Sequence, residues 1–198
     1  MKRIVVDSIM NKIKNLNKYD DIKLSEIRYG LEAIYLNVSR FLVFFTINTI
    51  LDIFWESLLF FIFYVPLRSF SFGFHAKNSL TCWILSSIAF IGLPYLSTVI
   101  SLNFIIKIFA VIFSLIIYVI YSPADTPKRP ITSEKYRTKL KLYTMFFVLI
   151  YSLLILLIDS DITTIIALAL IHQSILITPL IYKIFNVSYN NYLYCQLN

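Results

Sequence analysis

Long apolar runs separated by short basic segments dominate this chain, and that pattern predicts helices that cross a membrane. Five apolar regions stand out, at about 41–67, 80–100, 103–122, 143–158 and 162–185. A crossing helix needs roughly 20 residues, within a range of about 17–25. The runs are continuous rather than alternating in polarity, which argues against a β-barrel. The first region is too polar for one span, because Asn48, Asp52, Trp55 and Glu56 lie in its middle. An acid at mid-bilayer costs about 2.5–3.5 kcal/mol on insertion. Two helices joined by a tight turn near Asp52–Glu56 leave both carboxylates in water. The first then begins near Gly30 and includes Arg40; the second covers about 54–69 and ends near Pro66.

Charge supports the same division. With six helices and an inner N-terminus, the inner segments hold Lys2, Arg3, Lys12, Lys14, Lys18, Lys23, Arg28, Arg68, Lys77, Lys128, Arg129, Lys135, Arg137, Lys139 and Lys141. Lys183 lies at the inner end of the last helix, the outer turns hold Asp52, Glu56, Asp159 and Asp161, and only Arg40 and Lys107 fall within spans. Five helices would put the basic 123–142 loop opposite the basic N-terminus, against the positive-inside tendency. Pro94 and Pro179 are expected to kink their helices. Prolines at 123, 127 and 130 predict an extended, rigid, basic loop.

Ahead of the first span, Ile4, Val5, Ile9, Ile13 and Leu16 recur at near-helical spacing among Lys2, Arg3, Lys12, Lys14 and Lys18. This predicts an amphipathic helix on the inner surface, drawn to anionic membrane lipid; a solvated, partly helical tail is the plainer alternative. Charges interrupt residues 1–28, so a signal peptide is not expected there. The expected class is an all-α polytopic membrane bundle: an interfacial segment over 1–29, about six transmembrane helices over 30–186, and a tail over 187–198.

Composition agrees: 59% of the 198 residues are hydrophobic and 15% charged, against roughly 25% charged in an average soluble domain. The net charge of +7 sits in segments flanking apolar runs, as in cytoplasmic loops, so no nucleic-acid partner is expected. With two cysteines far apart, no CxxC and no zinc-ligand spacing, neither a disulfide framework nor a metal or other cofactor is expected.

One polar stretch carries candidate chemistry. Arg68-Ser-Phe-Ser-Phe-Gly73-Phe-His75-Ala76-Lys-Asn-Ser-Leu-Thr-Cys82 holds one of two histidines and one of two cysteines. A thiol attacks as the thiolate, which a neighbouring imidazole and a helix N-terminus both favour. Asn78 or Ser79 is suited to cap a helix starting ahead of Cys82. His75 does not belong on that helix, since seven helical residues rise about 10 Å, and Gly73 with Lys77-Asn78-Ser79 permits a break. Arg68, at the same edge, suits a carboxylate or a developing oxyanion. Against this, a Cys in an apolar helix is usually a small hydrophobe. His172, Gln173 and Ser174 read as interhelical hydrogen-bonding residues, with a functional cavity as the alternative. Cys195, in the polar tail, has no expected role.

The pattern Arg68-x4-Gly73-x-His75-Ala76-x5-Cys82 resembles the signature of the accessory gene regulator B (AgrB) family, membrane endopeptidases of Gram-positive quorum sensing. Ile27-Arg28-Tyr29-Gly30-Leu31-Glu32 ahead of it is similar to the family's segment before the first span. Tyr121-Ser-Pro123-Ala124-Asp125-Thr-Pro-Lys128-Arg129-Pro130-Ile131 after it is similar to the family's Pro-Ala loop with its basic residues. The resemblance implies cleavage of a short AgrD-like precursor peptide, with Cys82 as nucleophile and His75 as base. It also implies that a thiol or hydroxyl within the peptide resolves the acyl-enzyme, closing a thiolactone or lactone. Arg68, Lys128, Arg129 and Glu32 are the substrate-contact candidates, the basic loop serving a precursor with an acidic tail. Glu32, Ser71 and Asp125 are equal candidates to orient His75. The aromatic run Ser-Phe-Ser-Phe-Gly-Phe departs from some relatives. A homodimer is compatible with this reading. The rival functions are a peptide transporter or exporter without proteolysis, using a polar path through Asn48, Arg40 and His172, and a non-catalytic scaffold for a partner sensor.

Overall fold

The computed structural model describes residues 2–14, 20–76, 78–127, 130–158 and 160–192. The chain divides into two compact units, Met1–Ile50 and Leu51–Asn198.

The first unit pairs α1 (Lys2–Lys14) with α2 (Asp21–Ile50). Val6 and Met10, one turn apart, are the buried residues of α1. Ile4, Val5 and Ile9 are exposed, and Leu16 lies outside the described residues. The helix therefore has two apolar faces, one packed and one open, where the sequence suggested a single stripe. Arg28 closes the pair with a 2.6 Å contact to Asp7. The second helix starts at Asp21, well ahead of the expected Gly30. The cause is local: the Asp20 carboxylate accepts the Lys23 N–H at 2.9 Å, and Asp21 occupies the first turn. Further along, Ser39, Thr46 and Thr49 donate to carbonyls four residues back, which satisfies their hydroxyls within an apolar helix.

The expected break in the first apolar region is present. The helix ends at Ile50, Asp52 takes φ 57°, and α3 (Phe54–Ser71) follows with Glu56 in its first turn. Pro66 lies inside α3 rather than at its end.

In the second unit α3, α6 (Phe104–Tyr121) and α7 (Glu134–Leu157) pack around α8 (Asp161–Leu176). The middle of α8, from Thr163 to Leu170, is buried on every face. Leu67, Val111, Tyr118, Val148, Ile155, Ile166 and Leu170 form the shared core. A second cluster, Phe60, Tyr64, Ala89, Ile165, Leu168 and Ala169, seats the remaining long helix. That helix is α4 (Ser79–Ser87) and α5 (Leu93–Val99), joined by a π-helical turn over Ile88–Gly92. Pro94 lacks an N–H and its ring crowds the carbonyl four residues back; the wider turn just ahead of it accommodates both. Pro179 does not kink a helix. The chain breaks at Ile177–Thr178, and Pro179 opens the short α9 (Pro179–Ile184).

Among the described residues four helices are long and apolar enough to cross a membrane: Asp21–Ile50, Ser79–Val99, Phe104–Tyr121 and Glu134–Leu157. Of the other two expected spans, one is as long as α6 but carries two charges, and one is shorter. The 18 residues of α3 include Glu56 and Arg68, and α8 has 16, a rise of about 24 Å against a hydrocarbon core of about 30 Å. Outward faces are apolar, as with Ile105, Phe109, Ile112 and Ile116 on α6. A helical membrane bundle is the class this defines, with only an isolated Phe72–Ala124 bridge in place of strands among the described residues.

Candidate functional site

The connection between α3 and α4 carries His75 and leads into the helix that holds Cys82, and its first half is held by side chains and backbone from three directions. Phe72 takes φ 58° and Gly73 φ +106°, turning the chain sharply out of α3. On one side the 122–126 loop pairs with it: the Gly73 N–H donates to Ala124 O at 2.8 Å, and the Ala124 N–H donates to Ser71 O at 2.9 Å. On the other side the end of α8 takes over, with the Phe74 N–H donating to Leu176 O at 2.9 Å. From below, Arg68 reaches over its own helix end, Nη1 donating to Phe72 O at 2.9 Å and Nη2 to Phe74 O at 2.5 Å. Gln173 adds two bonds at 2.7 Å, to Ser71 Oγ and to Phe72 O. The segment thus becomes a fixed ledge in which Gly73 and Phe74 are buried, and His75, exposed, follows directly after it.

Cys82 lies past the break. Asn78 is the N-cap residue of α4 by backbone conformation, although its side chain makes no cap bond, contrary to expectation. The Cys82 N–H donates to Asn78 O at 3.2 Å, the first bond of the helical ladder. The half-buried thiol therefore stands just past the N–H groups of Ser79, Leu80 and Thr81, which belong to the turn a helix leaves without internal partners. His75, in the connection, and Cys82, in the first turn of α4, belong to one compact unit.

The other candidate residues divide. Arg68 spends its fork on the chain's own backbone, which gives it a bracing geometry around the His75 segment. Ser71 is buried and donates to Leu67 O at 2.7 Å. Glu32 belongs to the first unit and faces Arg28 on its own helix at 3.5 Å. Lys128, Arg129 and Cys195 lie outside the described residues. His172 packs against α3 at a tilt, with ring centroids 5.4 Å from Tyr64 and 6.4 Å from Phe60. Gln173 makes the interhelical bonds expected of this region, and its partners are the ledge itself.

Asp125 is buried, and its carboxylate accepts two backbone N–H groups of the C-terminal segment, from Asn191 at 3.0 Å and Tyr192 at 2.7 Å. Tyr182 completes the lock by donating to Asp125 O at 2.9 Å. Beside it, burial pushes the Tyr189 phenol up to about 12, despite the opposing pull of Arg137, so it stays neutral. The 122–126 loop is thus anchored from behind while it holds Gly73 in front. Loss of two hydrogen bonds to a charged acceptor predicts that Asp125→Ala lowers stability by about 3 kcal/mol. The check is the thermal unfolding midpoint in detergent; an unchanged midpoint would show that the C-terminal segment does not anchor the loop. Nothing in the spacing of Asp125 or Gln173 signals these roles, since their partners are far away along the chain.

The molecule is therefore a helical membrane protein whose α3–α4 connection presents a histidine on a braced ledge and a cysteine at the start of the next helix. The model of the accessory gene regulator B family matches residues 6–177, and this chain belongs to that family, which ties it to the quorum-sensing accessory gene regulator system. A protein described as AgrB-like from Listeria innocua is 32% identical over 176 residues, covering 88% of this chain and 86% of the relative. Another from Clostridium acetobutylicum is 29% identical over 194 residues, covering 93% of each. The accessory gene regulator protein B of Staphylococcus aureus is 29% identical over 177 residues, covering 89% of this chain and 93% of that one. No solved structure matches the chain.

Proposed function

We propose that this protein is a membrane cysteine endopeptidase that cleaves an AgrD-like precursor peptide and promotes its cyclisation. The observation that carries the reading is the α3–α4 connection: an exposed His75 leaves a braced ledge, and Cys82 opens the following helix. Family membership supplies the substrate class. The basic segments around the inner ends of the helices support a multi-pass orientation with the N-terminus and the site on the cytoplasmic side.

In the proposed reaction His75 takes the Cys82 proton, and the thiolate sulfur attacks the scissile carbonyl carbon. The C–N bond breaks, and the imidazolium returns its proton to the leaving amine. The acyl group now sits on Cys82 as a thioester, which conserves its activation. A thiol or hydroxyl within the same peptide then attacks that carbonyl. The Cys82 sulfur leaves, regains a proton, and a thiolactone or lactone ring closes. An internal nucleophile competes with water through its high effective concentration, and exclusion of water favours the ring.

The test is capture of the intermediate. Membranes containing the full chain and a tagged precursor whose internal nucleophile is replaced by alanine should accumulate an acyl adduct on Cys82. Mass spectrometry of the tryptic peptide would locate it, and hydroxylamine would release it. Cleavage that proceeds without any adduct on Cys82 would remove this mechanism.

A further inference from the structure

The first turns of α7, the residues just ahead of them and the C-terminal segment border a half-open hollow of about 300 Å³, lined in part by Glu134, Arg137, Thr138 and Tyr192. We propose that this hollow holds the headgroup of an anionic glycerophospholipid, with Arg137 binding its phosphodiester.

Among the described residues, no acceptor is supplied to one arm of the Arg137 guanidinium. The ring of Tyr192 covers one face of its guanidinium, 3.7 Å from Cζ to the ring centroid. That ring is fixed in turn, because the Tyr192 N–H is held by the buried Asp125 carboxylate. The Nη1 nitrogen is buried and has no hydrogen-bond partner among the described residues. A buried, unpaired donor on a cation is costly, and a ligand with paired oxygens relieves that cost through the planar fork.

Depth selects the ligand. From Leu142 to Leu157 α7 carries no charged residue, and Arg137 precedes that run by a rise of about 7.5 Å. The polar layer on each side of a bilayer is about 5–7.5 Å deep, given total and hydrocarbon thicknesses of about 40–45 and 30 Å. Arg137 thus sits at phosphate level, and stacked Tyr192 suits the same layer. Glu134, one turn further out, would repel a second phosphate and instead accepts from a headgroup hydroxyl, as in phosphatidylglycerol. Exposed Lys135 and Lys139 flank Arg137 on the same helix and favour a net-anionic lipid over a zwitterionic one.

The experiment is native mass spectrometry of the full chain in non-ionic detergent with added phosphatidylglycerol or phosphatidylcholine. The expected result is one phosphatidylglycerol per chain, retained about tenfold over phosphatidylcholine. Arg137→Gln should lose about tenfold in retention. Arg137→Lys keeps the charge but not the fork, and should fall short of the unmodified chain by about threefold. Lys135→Gln removes only part of the diffuse attraction and should lose about twofold at most, less than either Arg137 variant. Full retention in both Arg137 variants would overturn the proposal, as would an equal loss in Lys135→Gln, which would mean diffuse attraction. Equal retention of the two lipids, or displacement of phosphatidylglycerol by millimolar inorganic phosphate, would also overturn it.

Discussion

Cys82→Ala is expected to abolish precursor cleavage, and His75→Ala to lower it by about 10²–10⁴-fold, with both chains still inserted in the membrane. The two magnitudes differ for a physical reason. Removing the sulfur removes the atom that forms the covalent bond, and no neighbouring side chain replaces it. Removing the imidazole leaves the sulfur, which attacks in its ionised fraction without a positioned base. Neither residue belongs to the packed core: Cys82 is half-buried and His75 exposed, so little stability should be lost. The measurement is cleavage of a tagged precursor co-expressed in the same membrane, with each variant's abundance determined in parallel. Cleavage that survives either substitution at full rate would end the proposed chemistry. Conversely, a pH profile of the His75→Ala enzyme that rises steadily with thiolate formation would identify the lost group as the base.

Gly73→Ala is the second large effect, and here the damage runs through position rather than chemistry. A Cβ on Gly73 would stand 2.9 Å from Arg68 Nη1, 3.0 Å from Leu176 O and 3.1 Å from Ile177 Cγ2, and φ at this residue is +106°. The backbone strain alone costs about 1–3 kcal/mol. The Arg68 end is flexible in principle, yet it is tied to Phe72 O and Phe74 O, and the Leu176 carbonyl is backbone that already accepts the Phe74 N–H. The new methyl can be seated only by moving the ledge, and a displacement of about 1 Å at a catalytic group costs about 10²-fold. Gly73→Ala should therefore cleave about a hundredfold more slowly than the unmodified chain. Its unfolding midpoint should fall but remain measurable. Arg68→Lys should share the phenotype more mildly, because a single ammonium cannot hold two carbonyls as the guanidinium fork does. A Gly73→Ala protein that cleaves at the normal rate would show that the placement of His75 does not depend on the ledge.

The ledge also shows why part of the site was legible early and part was not. Gly73 is readable as a break because only a glycine takes that backbone angle cheaply. Arg68, His75 and Cys82 are readable because they are polar residues between apolar runs. Their division of labour is less so: Arg68 reads as a substrate or oxyanion ligand, and in the fold its fork is spent on Phe72 and Phe74. Ser71 and Asp125 read as candidates to orient a histidine. Each is buried with its hydrogen bonds directed elsewhere, Ser71 to Leu67 O and Gln173, Asp125 to the backbone of 191–192. The start of α2 was misplaced: hydropathy puts it near Gly30, whereas the Asp20 carboxylate and Asp21 in the first turn carry it back to Asp21.

The sequence by itself determined the helical membrane class, the division of the first apolar region at Asp52, the break between α3 and α4, and the family. These follow from hydropathy, local charge and backbone preference, all set within a few residues of each position. Only the tertiary structure decided how the His75 segment is held, because that depends on partners remote along the chain. Gln173 meets Phe72 across 101 positions and Asp125 meets Tyr192 across 67. A hydrogen bond between buried groups is fixed by the packing that brings them together, and no local pattern records which distant carbonyl or carboxylate will be there.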